Sequence, residues 1–553
     1  MEKKAARINF LTICLMILLI CTYLLSFKVT SRVSRAILDG DTSAELVLSE
    51  HLSKTNHLLA KDWYYSTELR VLYSQIVFSF LFRFISDWTT VRIYGTMILQ
   101  LILLLSFAYM MVQAIPSGNG NKKVNTILAG CILILLPYCL CYGEIVLYHF
   151  YYIPNIAISF LLIGLLCFVV NHSEGEKHNI SYIVHFTFLL LLSLLSTLSG
   201  YRQILILFLP LFFTVALHAI RNDNTVRKGE YQRWIKPILF MFLAALCGLF
   251  VNLFILKRHY TFSNYSEDLY LVDLSAEKII EQLNFILAEF GYQSHISLYT
   301  VQGILSLLGL FICAYCLIFS ITALFTDNSK EISTMILQSI MIPGICCIFL
   351  SDLLTDMVSN ERYYLPVTIW IIPMLISRFY NVTAKNLIAD AAFIICISGL
   401  YFNGFYNMGV YNGSFHNNSI EEKTKMVSSL QDCAKFISDN NYDYGITTFW
   451  EAAVITELTD GIPVSNVGFA EDAIMWNNWL TLESIRHQHY EKAFLMIINS
   501  DRSLLDKFEG PFALVRAFEG KYYTVYTVDD ADSLISFING FGAKAYPRII
   551  EYQ

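Results

Sequence analysis

Apolar runs of roughly 18 to 24 residues recur through the first three quarters of this chain, and each is long enough to cross a bilayer as a helix. The chain is 56% hydrophobic and 15% charged, with a mean hydropathy of +0.52. No soluble globular protein of 553 residues has that profile, so the class is a polytopic membrane protein. Lys3, Lys4 and Arg7 precede the first run, as in a signal peptide. No small-residue cleavage site follows and further runs continue behind it, so an uncleaved anchor is expected.

The candidate spans are 8–27, 92–115, 124–143, 154–171, 181–198, 203–220, 236–256, 303–325, 332–351, 363–380 and 387–405. Segment 68–86 is different, because Glu68, Arg70, Gln75 and Arg83 interrupt it. If it lies flat at the interface, Lys122, Lys123, Lys177, Arg221, Arg227, Lys228, Arg233, Lys330, Arg378 and Lys385 all fall on one side of the membrane. The positive-inside rule favours that arrangement. The expectation is a mostly α protein of about eleven spans. Its N-terminus is cytoplasmic, and interfacial helices lie in its first outer loop. Residues 1–405 form the membrane module and 406–553 an extracytoplasmic α/β domain.

The net charge of −7 sits mainly in that tail, which holds 20 acids against 11 lysines and arginines. No basic stripe of the kind that binds nucleic acid occurs. A polar linker at 412–419 leads to a helix at 421–439, a strand at 445–450, a helix at 451–459 and strands at 463–467 and 493–498. A hairpin follows at 512–518 and 522–528, and a helix at 530–539 closes the tail. Of the 13 cysteines, all but Cys433 lie in apolar runs and read as packing residues.

Unusual polar residues collect in the outer segments. Asp39, Asp41 and Glu45 open the first loop, and Asp41 and Glu45 share one face of a helix if residues 42–53 are helical. Asp41 reads equally as the cap of that helix. Trp63, Tyr65, Glu68 and Arg70 follow; an interfacial aromatic belt explains the rings but not the charges. Glu144, His149 and Tyr152 lie at another bundle lip, suited either to sugar hydroxyls or to interfacial anchoring. Arg202, and Arg362 beside Tyr363, start two later spans, where each either snorkels or binds an anionic headgroup. Lys257, Arg258 and His259 could assist. In loop 257–302, Ser275 is placed to cap an amphipathic helix. Motifs for nucleotide binding, zinc proteolysis or a nucleophile elbow are missing.

One span, a large acidic outer loop with flat helices, more spans and an outer C-terminal domain together resemble the GT-C superfamily of polytopic glycosyltransferases, which use polyprenyl-phosphate-linked sugars. Segment Asp39–Arg92 is similar to bacterial membrane proteins of this type, and Thr448-Phe449-Trp450-Glu451-Ala452 resembles their tails. Asp41 is followed here by Thr42, in place of the paired Asp-Glu of many relatives. The resemblance implies a donor of polyprenyl phosphate-sugar, a glycan or glycolipid acceptor of the cell envelope, and the lipid bilayer as partners. It also implies an inverting displacement on the outer face. Asp41 would be the base, with Glu45, Asp39 and Glu68 as rivals, and Arg202 or Arg362 would stabilise the leaving phosphate. No cofactor is required by the residues, and a divalent cation, Mg or Mn, stays open. Other classes to weigh are a polysaccharide polymerase or ligase, a lipid-linked-saccharide flippase, and a non-catalytic scaffold.

Overall fold

The structure, a computed structural model, describes residues 9–116, 120–172, 180–221, 225–262, 270–325, 331–357, 360–381, 387–410, 417–470, 473–507 and 513–540. Lys3, Lys4, Arg7, Lys177, Lys330, Lys385 and most of the 412–419 linker lie outside the described residues. Among those residues, seven helices are long and apolar enough to cross a membrane: Phe10–Ala36, Trp88–Ala114, Ile153–Asn171, Ile180–Thr197, Glu230–Arg258, Val301–Phe325 and Ile332–Leu354. They leave large apolar side chains exposed, among them Phe10, Phe188, Phe250 and Phe311. Water would not tolerate such bands, whereas acyl chains solvate them. The chain is a membrane protein with a helical bundle.

Several expected spans are broken. The run at 124–143 is a helix only over Gly120–Ile134. Pro137 follows, and proline disfavours helix in the residue before it and removes a backbone donor. The chain resumes as a π-helical turn over Tyr142–Tyr148. The 203–220 run likewise begins with a π-turn, Ile204–Phe208, before helix Leu209–Arg221. At 363–380 the chain forms a 3-10 turn, Glu361–Tyr363, then short helices Leu365–Thr368 and Ile371–Asn381. Segment 68–86 holds only the helix Gln75–Phe82. Eight residues of helix extend about 12 Å, far short of a bilayer core.

Two compact units divide the chain: Met1–Thr30, Thr96–Phe254 and Tyr265–His416 form one, and Ser31–Gly95, Ile255–Asn264 and Asn417–Gln553 the other. In the first, small residues let helices approach. A Cβ on Gly248 would lie 2.2 Å from the Leu194 carbonyl oxygen, so Ile180–Thr197 and Thr225–Phe254 meet there backbone to backbone. Thr197 Oγ1 donates to the Ala245 carbonyl at 2.7 Å, and Asn252 Nδ2 to that of Leu198 at 2.7 Å. Ser275 caps helix Ala276–Glu289 by accepting from the Lys278 amide, as its spacing predicts.

In the second unit, strands β1 (Trp63–Tyr65), β2 (Thr261–Phe262), β3 (Tyr444–Thr448), β4 (Val464–Ala470), β5 (Ala473–Trp476), β6 (Thr481–Leu482), β7 (Ala493–Ile498), β8 (Leu514–Glu519) and β9 (Tyr523–Val528) build two sheets. The larger is mixed, ordered β5-β4-β3-β7-β9-β8, with β3 parallel to β4 and β7. Alternate residues serve opposite faces. Phe494 and Met496 pack with Leu430, Ala434 and Ile437 of helix Asn418–Asp439, while Ala493 and Leu495 pack with Leu534 and Ile538 of helix Ala531–Gly540. The smaller sheet, β2-β1-β6, draws its strands from three distant chain segments.

Gly248→Ala is expected to push the two helices apart and cost about 1–3 kcal/mol. Detergent-solubilised variant and wild type should then differ in melting temperature; identical melts would refute the close contact.

Candidate functional site

The first-loop acids sit on one helix, Gly40–Thr55. Its cap is Asp39, not Asp41: extended backbone (φ −140°, ψ 159°) lets the Asp39 carboxylate accept from the Thr42 amide at 2.9 Å. Asp41 lies in the first turn, where the helix dipole favours an acid. Glu45 follows one turn later. Ala44, Leu48 and Leu52, spaced by four, face a core that includes Trp63, Tyr65 and Leu69. Trp63 and Tyr65 are therefore core residues of this unit, and the Tyr65 hydroxyl accepts from the Ala60 amide at 2.9 Å. Asn56, in the left-handed region at φ 56°, ends the helix.

Two buried arginines hold this helix. Arg70 Nε donates to Glu45 Oε1 at 2.7 Å and its Nη1 to Glu68 Oε2 at 3.1 Å, with the guanidinium 4.3 Å from the Tyr73 ring centre. Burial pushes the Glu45 carboxyl above its ordinary value; Arg70 opposes this, and the nearby Asp41 and Glu68 add to it. Arg92, 0% exposed, makes a two-pronged pair with Glu457, Nε to Oε1 at 2.6 Å and Nη2 to Oε2 at 2.5 Å. It also donates to Thr42 Oγ1 at 3.3 Å and Ser43 Oγ at 3.1 Å. Helix Phe449–Leu458, which carries Glu457, packs so tightly here that a Cβ on Gly40 would lie 3.0 Å from the Phe449 carbonyl oxygen. Sequence reasoning missed Arg92 and Glu457. The signal was an arginine one turn inside an apolar span, which must find a buried partner.

The first unit carries the remaining residues. Glu144 lies in the π-turn, and His149 ends it; both are buried. Arg202 stacks over the Tyr152 ring at 5.1 Å, Tyr152 meets Tyr151 edge to face at 5.2 Å, and Arg362 lies 5.8 Å from Tyr151 and 5.9 Å from Tyr363. The structure thus links the two predicted arginines through adjacent tyrosines. Both guanidinium groups are half-buried, a setting where cation–π contacts and anion pairing are stronger than in water. Asn360 fixes the Arg362 turn by accepting from its amide at 3.1 Å. Lys257 and Arg258 belong instead to the second unit, in the 3-10 turn Leu256–Arg258 that His259 ends. Glu289, unforeseen, is buried and accepts from Thr368 Oγ1 at 3.3 Å.

Among the described residues, no three His, Cys, Asp or Glu side chains converge as metal ligands. Glu45 and Glu68 already share one guanidinium, so a divalent cation does not fit that pair.

The solved structure of ArnT from Cupriavidus metallidurans without ligand superposes with a TM-score of 0.54 at 11% identity, covering 96% of this chain and 99% of that one. The same protein bound to undecaprenyl phosphate gives 0.53, with the same identity and coverage. The chain therefore shares the fold of these ArnT structures along nearly its whole length. The archaeal oligosaccharyltransferase AglB from Archaeoglobus fulgidus, in complex with an inhibitory peptide and a dolichol-phosphate, gives 0.46 at 12% identity, over 92% of this chain and 74% of that one. The chain matches no protein-family model and no curated protein sequence.

Removing Arg92 alone (Arg92→Met) should strand Glu457 and cost about 3–5 kcal/mol, while Arg92→Met with Glu457→Leu should recover much of the loss. Thermal melts of Arg92→Met, Glu457→Leu and the double variant decide this; additive losses would contradict the coupling. Glu451, in the Thr448–Ala452 motif, is buried beside the Thr448 and Tyr523 hydroxyls, and burial pushes its carboxyl up to about 7 from 4.5. Between those values the folded chain keeps a proton that the unfolded chain releases, so stability falls as pH rises through that window and levels off above it. Glu451→Gln should remove this part of the slope in melting temperature against pH; parallel curves would refute it.

Proposed function

We propose that this protein is a membrane glycosyltransferase that moves a sugar from a polyprenyl-phosphate-linked donor to a glycan or glycolipid acceptor of the cell envelope. The observation that carries the reading is the GT-C fold over 96% of the chain, shared with a protein solved with undecaprenyl phosphate bound. The active face is extracytoplasmic, as the positive-inside distribution of lysine and arginine supports.

In the proposed reaction the acceptor hydroxyl attacks the anomeric carbon, its proton passes to a first-loop carboxylate, and the bond to the phosphate oxygen breaks with inversion. Polyprenyl phosphate leaves with the electron pair. The carboxylate is Asp41. Glu45 is 1% exposed and holds Arg70, Glu68 shares that guanidinium, and Asp39 gives an oxygen to the helix cap. Glu45 and Glu68 are thus positioning residues. Within the first unit, Arg202 and Arg362 on their tyrosine platform offer a cationic surface suited to a phosphate.

Asp41→Asn should lower transfer from lipid-linked sugar in proteoliposomes by about 10²–10⁴-fold. Full activity in that variant would remove Asp41 from the role.

A further inference from the structure

Helix Ala276–Glu289, in the first unit, is built inside out. Ile280 and Leu283, 59% and 48% exposed, face away from the protein, while Gln282 and Glu289, both 0% exposed, face into it. Gln282 and Glu289 are two turns apart on one side of the helix. Burying a carboxamide costs free energy unless a hydrogen bond replaces water, so a helix packed for stability alone would turn the other way. A membrane surface removes the penalty on the apolar side. The polar side needs its own reason.

That side grips the turn carrying Arg362. Tyr364, two residues on from Arg362 and itself fully buried, donates its hydroxyl to Gln282 Oε1 at 2.7 Å. Thr368 Oγ1 lies 3.3 Å from Glu289 Oε2, but its one proton is also within reach of the Tyr364 and Leu365 carbonyls at 3.1 and 3.4 Å. The Gln282 bond is therefore the firmer hold. The helix has a support of its own at the end of span Ile332–Leu354. Leu271 and Thr355 form an antiparallel bridge, the Val272 amide donates to the Leu354 carbonyl at 3.2 Å, and Lys278 Nζ donates to that of Thr355. Arg362, by contrast, sits on a three-residue 3-10 turn, Glu361–Tyr363, whose hydrogen-bond geometry is intrinsically poor and whose aim depends on outside contacts. We propose that Gln282 is a positioning residue for phosphate binding: through the Tyr364 hydroxyl it holds this turn at the angle at which the guanidinium meets the donor's phosphate. This rests on the reading that Arg362 meets that phosphate. Gln282, sealed from solvent, touches no substrate itself.

The test uses the full-length protein in maltoside micelles, titrated with farnesyl phosphate and followed by phosphorus NMR, which reads both the dissociation constant and the number of sites. Arg362→Met should weaken binding about tenfold or more. Tyr364→Phe, which removes a single oxygen, and Gln282→Leu should each weaken it about three- to tenfold at an unchanged number of sites. Placed on Arg362→Met, neither should weaken it further, because a turn without its arginine has nothing left to aim. Unchanged affinity in Tyr364→Phe, a loss of sites at unchanged affinity, or losses that add to that of Arg362→Met would each overturn the role of Gln282. Tyr364→Phe decides even if Gln282→Leu fails to fold. Wild-type affinity in Arg362→Met, or no saturable binding by wild type, would instead separate Arg362 from the phosphate and remove the role of Gln282 with it.

Discussion

The second unit depends on one buried ion pair. Arg92 and Glu457 are 365 residues apart in sequence, and neither charge has water to fall back on. Two charges brought out of water must find each other with good geometry or destabilise the fold by several kcal/mol. The fork of Arg92 meets the Glu457 carboxylate with two bonds and spends further donors on Thr42 and Ser43. One guanidinium thereby fixes the N-terminal turn of the first-loop helix against the tail. The placement of Asp41, one residue before Thr42, is conditional on the C-terminal segment being folded. A tail that reads as an appended domain is, physically, part of the support for the first loop.

The first unit uses irregular backbone to a different end. Within a membrane bundle, non-helical backbone persists only where protein or a water-lined cavity satisfies it. The interruptions here fall around Pro137, at Gly200 with its φ of 145°, and around Asn360 to Trp370. Those are also the places that present Glu144, His149, Arg202 and Arg362. A straight helix would aim these side chains at the bundle or at lipid according to its 3.6-residue period. Breaking the helix frees them from that period, and two π-turns, a motif enriched at functional sites, do so here.

Much of this was legible in the sequence because it rests on local chemistry. Hydropathy marks the bundle, Ser275 caps the helix its spacing predicts, and the strand at 493–498 has the expected bounds. What was not legible depends on distant partners. β1, β2 and β6 have two or three residues each and exist only because three remote segments meet. The sequence pointed to Asp41 as the cap of the first-loop helix, whereas the cap is Asp39; the two acids are chemically alike and only backbone geometry separates them. Arg92 carried a visible cost in sequence, a charge in an apolar run, but its partner lies in a helix with no pattern of its own to reveal the pairing.

The arrangement explains why Asp39, Asp41, Glu45 and Glu68 would be gathered in one loop. A carboxylate that must accept a proton has to be rigid, because effective concentration falls steeply with misplacement. Asp39 rigidifies the turn by capping it, and Glu45 and Glu68 anchor the same helix through Arg70. Each is consumed by a structural bond that a neutral residue would make less well, since charge-assisted bonds are roughly twice as strong as neutral ones. Replacing any of the three would slow the proposed transfer by loosening the turn that aims Asp41. Activity loss alone therefore cannot name the base. A base and its scaffold differ in another observable: loss of a residue paired with Arg70 strands a buried guanidinium and lowers the melting temperature, so activity must be read beside stability.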